Sequence, residues 1–161
     1  MFFDVLLFEI RWRRCALPVS VVREVFALSH VTPVPTAPPA VRGLSQLRGQ
    51  MLPVLDLGIW LGPGTPRAEL VSTRPGQQAL LVEAASPSPG SETTAARAIL
   101  LVDRVVRLAT VDDSHRHPPP AGIPFVLVTI PDVDGPALLL DPEAALALVR
   151  ASVIETARAS Q

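Results

Sequence analysis

Two histidines one residue apart, His115 and His117 in RHPPP, are the pair in this chain best spaced to hold a metal ion. On a strand, H-x-H puts both imidazoles on one face, where they can ligate zinc. No cysteine stands near, and the prolines that follow indicate a loop, so the pair reads as solvated. His30, alone at the end of an apolar segment, reads as half-buried rather than catalytic. The acidic pairs Asp112-Asp113 and Asp132-x-Asp134 have the composition for acid–base work or cation binding. PDVDGP, however, lacks the other ligands of a calcium loop, and Asp134-Gly135 is an ordinary hairpin turn. Cys15 follows two arginines, which can lower a thiol's pKa, but its apolar run RCALPV argues for the core. Ser45 in GLSQL does not fit the G-x-S-x-G elbow of a nucleophile. A phosphate-binding G-x-x-x-x-G-K is impossible in a chain without lysine, and GPG at 62–64 lacks the dinucleotide fingerprint. The expectation is therefore a protein with no catalytic residues, no metal and no cofactor.

The composition bounds the alternatives. The chain has 161 residues, enough for one domain with a real core. Fourteen basic residues, all arginine, balance 15 acids, so nothing favours nucleic acid, which calls for a clustered basic excess. One cysteine gives no disulfide framework and fits a reducing cytoplasm. The start, MFFDVLLFEIRWRR, carries Asp4 early and has no small-residue cleavage site, so it does not read as a signal peptide. No uninterrupted apolar run is long enough to span a bilayer, so no membrane insertion is expected. Mean hydropathy is +0.37, an apolar excess that suggests sticky surfaces and so partners.

What would position any site is a series of short apolar runs separated by proline-rich turns, the pattern of small barrels or sandwiches. Strands are expected at residues 5–10, 15–18, 31–34, 44–47, 51–55, 79–83, 98–102, 105–109, 125–130 and 137–140. Short helices are expected at 20–27, opened by Ser20 as N-cap with Glu24 in its body, and at 57–61 after Asp56. The best helix is 142–152, with Asp141 as cap and Pro142 in the first position. Residues 62–78 and 85–96 read as loops, the second mobile, and the tail at 153–161 reads as weakly helical and prone to fray. There is also an internal echo. Val22–Leu28 lines up with Val102–Leu108, and Leu52–Asp56 with Ala137–Asp141, each time followed by matching features. Two related half-units, dividing near 62–78, would explain it.

GLSQLRGQMLPVLDL resembles the signature of the CheW-like domain, the coupling module of bacterial chemotaxis systems. The matching residues are Leu47-Arg48-Gly49 and Leu52-Pro53-Val54-Leu55-Asp56-Leu57. Upstream, CALPVSVVREVFALSHVTPVPTAPPAVRG resembles the family's first segments. Downstream, ILLVDRVVRLATVD and GPALLLDPEAAL resemble its later strands and closing helix. Gln46 stands where the family has asparagine, and IPFVLVTIPDV replaces a family segment in the second half. The resemblance implies a mostly β fold of two small SH3-like five-stranded β-barrels packed together, with short helices and a C-terminal helix. It implies a cytoplasmic, non-enzymatic adaptor in receptor arrays. Its partners would be the cytoplasmic tip of methyl-accepting chemotaxis receptors and the regulatory domain of a CheA-type histidine kinase. The altered second half leaves a second reading, a variant adaptor that binds receptors but not the kinase, in a gliding, pilus or accessory pathway. Glu24 and Arg48 match positions on the family's receptor-facing surface, and Val19, Val22 and Val25 would supply apolar anchors beside them. Gly43 and Gly49 read as turns, and Asp56 and Asp141 as helix caps, each worth about 1 kcal/mol.

Overall fold

Where valine, leucine and phenylalanine alternate without an interrupting proline, the chain forms strands. In the computed structural model, which describes residues 1–61, 76–86 and 94–160, β1 (Phe2–Ile10) and β2 (Arg13–Pro18) form the first hairpin. A 3-10 turn at Val19–Val21 leads into β3 (Val22–Ala27), then β4 (Val41–Leu47), β5 (Gln50–Leu55) and a single helical turn, α1 (Gly58–Leu61). There follow β6 (Gln78–Ser86), β7 (Thr94–Leu101), β8 (Arg104–Asp112), β9 (Val126–Ile130) and β10 (Ala137–Leu140). The chain closes with α2 (Pro142–Ala159), whose Asp141 cap accepts from the N–H groups of Glu143 and Ala144. The helix runs on past Ser152 to Ala159. The interiors of the two expected loops, 62–75 and 87–93, lie outside the described residues.

The strands make two five-stranded sheets, β8-β1-β2-β10-β9 and β3-β6-β7-β5-β4. Their connectivity is the same. In each, an antiparallel hairpin (β1–β2, β6–β7) has an antiparallel edge strand on one side and a parallel neighbour on the other. The equivalence pairs β3 with β8 and β5 with β10, the segments that echo each other in sequence. Two isolated bridges extend it: Thr32–Leu44 and His117–Thr129, each partner standing 85 residues from its counterpart. The half-units do not divide near 62–78. The second sheet is the continuous stretch from β3 to β7, and the first is assembled from the chain's two ends.

Three apolar cores result. One lies inside the first sheet (Val5, Leu7, Ala16, Ile130, Leu139), one inside the second (Leu52, Val54, Leu81, Ile99), and the largest lies between the sheets. Successive residues of one strand serve different cores: Leu6, Phe8 and Ile10 face the shared core, while Val5 and Leu7 face the inner one. Strands buried on both faces account for much of the high hydropathy, which the composition alone had suggested belonged to the surface.

Two further expectations are corrected. Residues 20–27 are not a helix, because Val22 to Ala27 pair with β6 as an edge strand. A run rich in valine and phenylalanine satisfies either periodicity when short, and its β-branched content suits the pleated surface. The strand expected at 31–34 reduces to the single bridge at Thr32, since Pro33 and Pro35 have no N–H to offer a ladder.

Candidate functional site

The β4–β5 hairpin has a two-residue loop, Arg48-Gly49, closed by the pair Leu47–Gln50. Both loop residues have positive φ, 50° and 80°, as primed two-residue turns require to match the strands' right-handed twist. Glycine adopts this freely; arginine does so at a cost. The result is a guanidinium at the tip of a rigid hairpin with 76% of its side chain exposed. Its Nη2 lies 3.1 Å from Oε2 of Glu24 on β3. β3 and β4 are opposite edges of one sheet, so this contact requires the sheet to curl until its edges meet. Phe26 of β3 and Leu47 of β4 pack on the same core beneath it.

Reading β3 as a strand redistributes the valines. On a helix, Val22 and Val25 would share a face; on a strand they face oppositely. Val22 packs against the shared core, whereas Val25 points outward, 45% exposed. Val19, on the 3-10 turn before β3, is also exposed. The outward apolar residues near Glu24 and Arg48 are thus Val19 and Val25, and Val22 is part of the scaffold. Met51, exposed just after the hairpin, borders the same region. It lines an open cleft of about 520 Å³ together with Arg48, Gln46, Thr32 and His30. His30 is exposed rather than half-buried, and its carbonyl accepts from Ser45 Oγ at 2.6 Å.

Gly43 answers to two demands at once. Its φ is +148°, and a Cβ there would lie 2.2 Å from the carbonyl oxygen of Thr32. It marks a bulge in β4, where the Thr32–Leu44 bridge brings another backbone alongside.

Asp56 does more than cap. Its Oδ1 accepts from Gly58 N–H at 2.9 Å, and its Oδ2 accepts from Arg11 at 2.9 Å and Arg42 at 2.7 Å. Arg11 belongs to the β1–β2 turn and Arg42 to β4, so one buried carboxylate joins the two sheets. Nothing in the sequence pointed to these partners, which stand 45 and 14 residues away.

Asp132 plays a similar part in the first sheet, accepting from Arg14 at 3.0 Å and from Arg107. Burial opposes its ionisation, but the Val133 N–H and the guanidiniums of Arg107 and Arg14 outweigh it, and its pKa lies below the usual carboxylate value. Cys15 is buried in the shared core, and loss of solvation pushes its pKa up to about 12. Its thiol is an inert packing group. His115 sits on a 3-10 turn, with Nδ1 3.2 Å from Ser114 Oγ and 3.5 Å from Asp112. The backbone of His117 is bridged to Thr129. Asp132 and Asp134 flank the β9–β10 turn, closed by Gly135 N–H to the Asp132 carbonyl at 3.1 Å.

Comparison with known proteins falls on this geometry. The model of the CheW-like domain matches residues 4–150. The curated chemotaxis protein CheW of Thermotoga maritima is 40% identical over 60 residues, covering 37% of this chain and 40% of that protein. The crystal structure of the scaffolding protein TtCheW from Thermoanaerobacter tengcongensis superposes with a TM-score of 0.68 at 24% identity, over 87% of this chain and 89% of that one.

Proposed function

The chain belongs to the CheW-like domain family, and from that membership we propose that it is a non-enzymatic chemosensory adaptor joining methyl-accepting chemoreceptors to a CheA-type histidine kinase. The observation that carries the receptor side is Arg48, held out in water by a turn whose φ of 50° an arginine adopts only at a cost. Beside it stand Glu24 and the exposed Val19 and Val25. A receptor tip is a helical hairpin, and helices are gripped by apolar anchors with a charged rim. Arg48 offers a planar donor fork to a carboxylate or to helix-end carbonyls. The adaptor carries out no bond chemistry in this reading; it holds two partners in a fixed geometry. No helix among the described residues is long and apolar enough to cross a membrane.

Co-sedimentation with a receptor cytoplasmic fragment tests the site. Arg48→Glu is expected to weaken binding about tenfold, roughly 1.4 kcal/mol, and Arg48→Lys less, since charge survives without the fork. The Arg48→Glu, Glu24→Arg double variant restores the internal ion pair. If the pair is merely a surface salt bridge, worth about 0–1 kcal/mol, the double variant binds like wild type and the reading fails. Receptor binding without binding of the kinase regulatory domain would move the assignment to the variant adaptor.

A further inference from the structure

The chain crosses between the sheets twice, at the 3-10 turn Val19–Val21 and at the two residues 102–103 that join β7 to β8. Short links at the ends of elements are where hinges form. The apolar core between the sheets opposes their separation, but apolar attraction has no direction. It also leaves a small gap between Leu17 and Leu140 of the first sheet and Leu55 and Val82 of the second. Hydrogen bonds to charged groups are directional and can fix an angle that the core leaves loose. One residue, Arg11 in the β1–β2 turn, spans the second link. Its N–H donates to Asp103 Oδ2 inside the link at 2.6 Å, and its guanidinium donates to Asp56 Oδ2, at the end of β5, at 2.9 Å. Gln78 of β6 also accepts across the sheets, from Val105 N–H at 2.7 Å, but within two residues of the link itself.

Two features show that the molecule is shaped around this side chain. Arg11 has φ of 48°, a left-handed conformation that glycine takes freely and arginine takes at a cost. Strain of this kind persists only where the surrounding structure holds it, and it collects at working positions. The second feature is Gly58, buried in α1. A Cβ there would stand 2.6 Å from Arg11 Nε and 2.7 Å from Arg11 Cδ. The missing side chain is thus the seat on which the arginine lies, and the Arg11 side chain is only 17% exposed. Arg11 is not the sole counter-ion of Asp56, because Arg42 reaches the same oxygen at 2.7 Å. Arg48, Glu24 and Val25 belong to the second sheet and its hairpin, whereas Arg11 belongs to the first. What Arg11 can govern is how the second sheet is held against the first.

We propose that Arg11 is a positioning residue, a clasp across the β7–β8 link that sets the angle between the two sheets and so the geometry in which the adaptor holds its partners. The functional half of this inference rests on the adaptor reading. Its test uses the full chain with spin labels at Ala95→Cys on β7 and Leu108→Cys on β8, both exposed and on different sheets. Cys15 is buried and stays unlabelled. Wild type is expected to give one narrow distribution of distances. Arg11→Ala leaves Asp56 paired with Arg42, and Gly58→Ala changes no charge. Each is expected to broaden the distribution about twofold as the hinge is released. The double variant is expected to match Arg11→Ala, because Gly58→Ala acts only by expelling the arginine. In assemblies of receptor fragment and CheA-type kinase, both single variants are expected to bind receptor as wild type does. Receptor control of the kinase is expected to fall about tenfold, the size of a lost coupling. A purely structural role would lower Tm and leave the distances, taken well below Tm, unchanged; that result overturns the clasp. Further broadening in the double variant overturns it as well. Broadened distances with kinase control intact overturn the positioning role and leave the adaptor reading standing. Wild type that binds neither partner overturns the adaptor reading and the functional half with it, and the distances then decide the clasp alone.

Discussion

Asp56 shows how a residue's worth depends on partners that sequence does not reveal. As a cap alone it would tolerate asparagine, which caps as well as aspartate. In the structure it also neutralises Arg11 and Arg42, whose side chains are only 17% and 12% exposed. Taking its charge away leaves two largely buried guanidiniums without a counter-ion. Asp56→Asn is therefore expected to destabilise by about 3 kcal/mol, a fall of roughly 6–12 °C in Tm for a chain this size. Thermal unfolding reads this out, and a Tm within a degree of wild type would return Asp56 to the role of simple cap. Asp141 was legible as a cap because its side chain's hydrogen bonds are local, accepted from Glu143 and Ala144. Arg48 and Glu24 were singled out together only through the family motif, and the structure shows them in contact. Their contact needs the sheet to curl, which no local pattern encodes.

Among the elements, most strands could be read from alternating apolar residues, and the failures have physical causes. β3 was misread because six residues suffice for neither period to declare itself, and its pairing partner β6 lies far along the chain. The consequence reaches the site, since Val22 and Val25 part to opposite faces. Of the two glycines read as turns, Gly49 is in one, whereas Gly43 lies in a bulge inside β4, and the two carry different constraints. Gly49 needs only its φ of +80°, as a Cβ there would meet nothing within 4 Å. Gly43 needs φ of +148° and also the space taken by Thr32. Gly49→Ala is thus expected to cost about 1 kcal/mol. Gly43→Ala is expected to cost at least about 3 kcal/mol, because the Thr32–Leu44 bridge must move as well. Urea unfolding of the two variants checks the order, and equal midpoints would mean that the bulge in β4 yields without disturbing its neighbour.

At the scale of the whole molecule, the two sheets share one connectivity but are tied by charges as well as by the apolar core between them. Sequence showed the repeat; it could not show that the half-units interleave, since that depends on which strand pairs with which. The charged groups paired within each sheet give the fold a predictable response to acid. Glu9 is held below its usual pKa by its hydrogen bond to Arg104 and Glu83 by that to Arg97, while Asp112 is held down by the Ser114 N–H. At Asp132, burial is outweighed by the Val133 N–H and by Arg107 and Arg14. Each group gives up its proton more readily folded than unfolded. As pH falls through the ordinary values of 4.5 for glutamate and 3.8 for aspartate, the unfolded chain takes up protons first. Stability is then fully present above those values and lost as pH drops through the folded ones. The urea midpoint is expected to be level from about pH 7 to pH 5 and to fall steeply below about pH 4. Asp132 should dominate that fall, because its side chain is 7% exposed against 16% for Glu83 and 24% for Glu9, and water and salt screen the more exposed pairs. Asp132→Asn should therefore lower the midpoint at pH 7 and flatten its acid slope, whereas Glu83→Gln should barely alter either. A wild-type midpoint still level at pH 3, or equal acid slopes for Asp132→Asn and wild type, would show that these within-sheet ion pairs contribute nothing to the fold's stability.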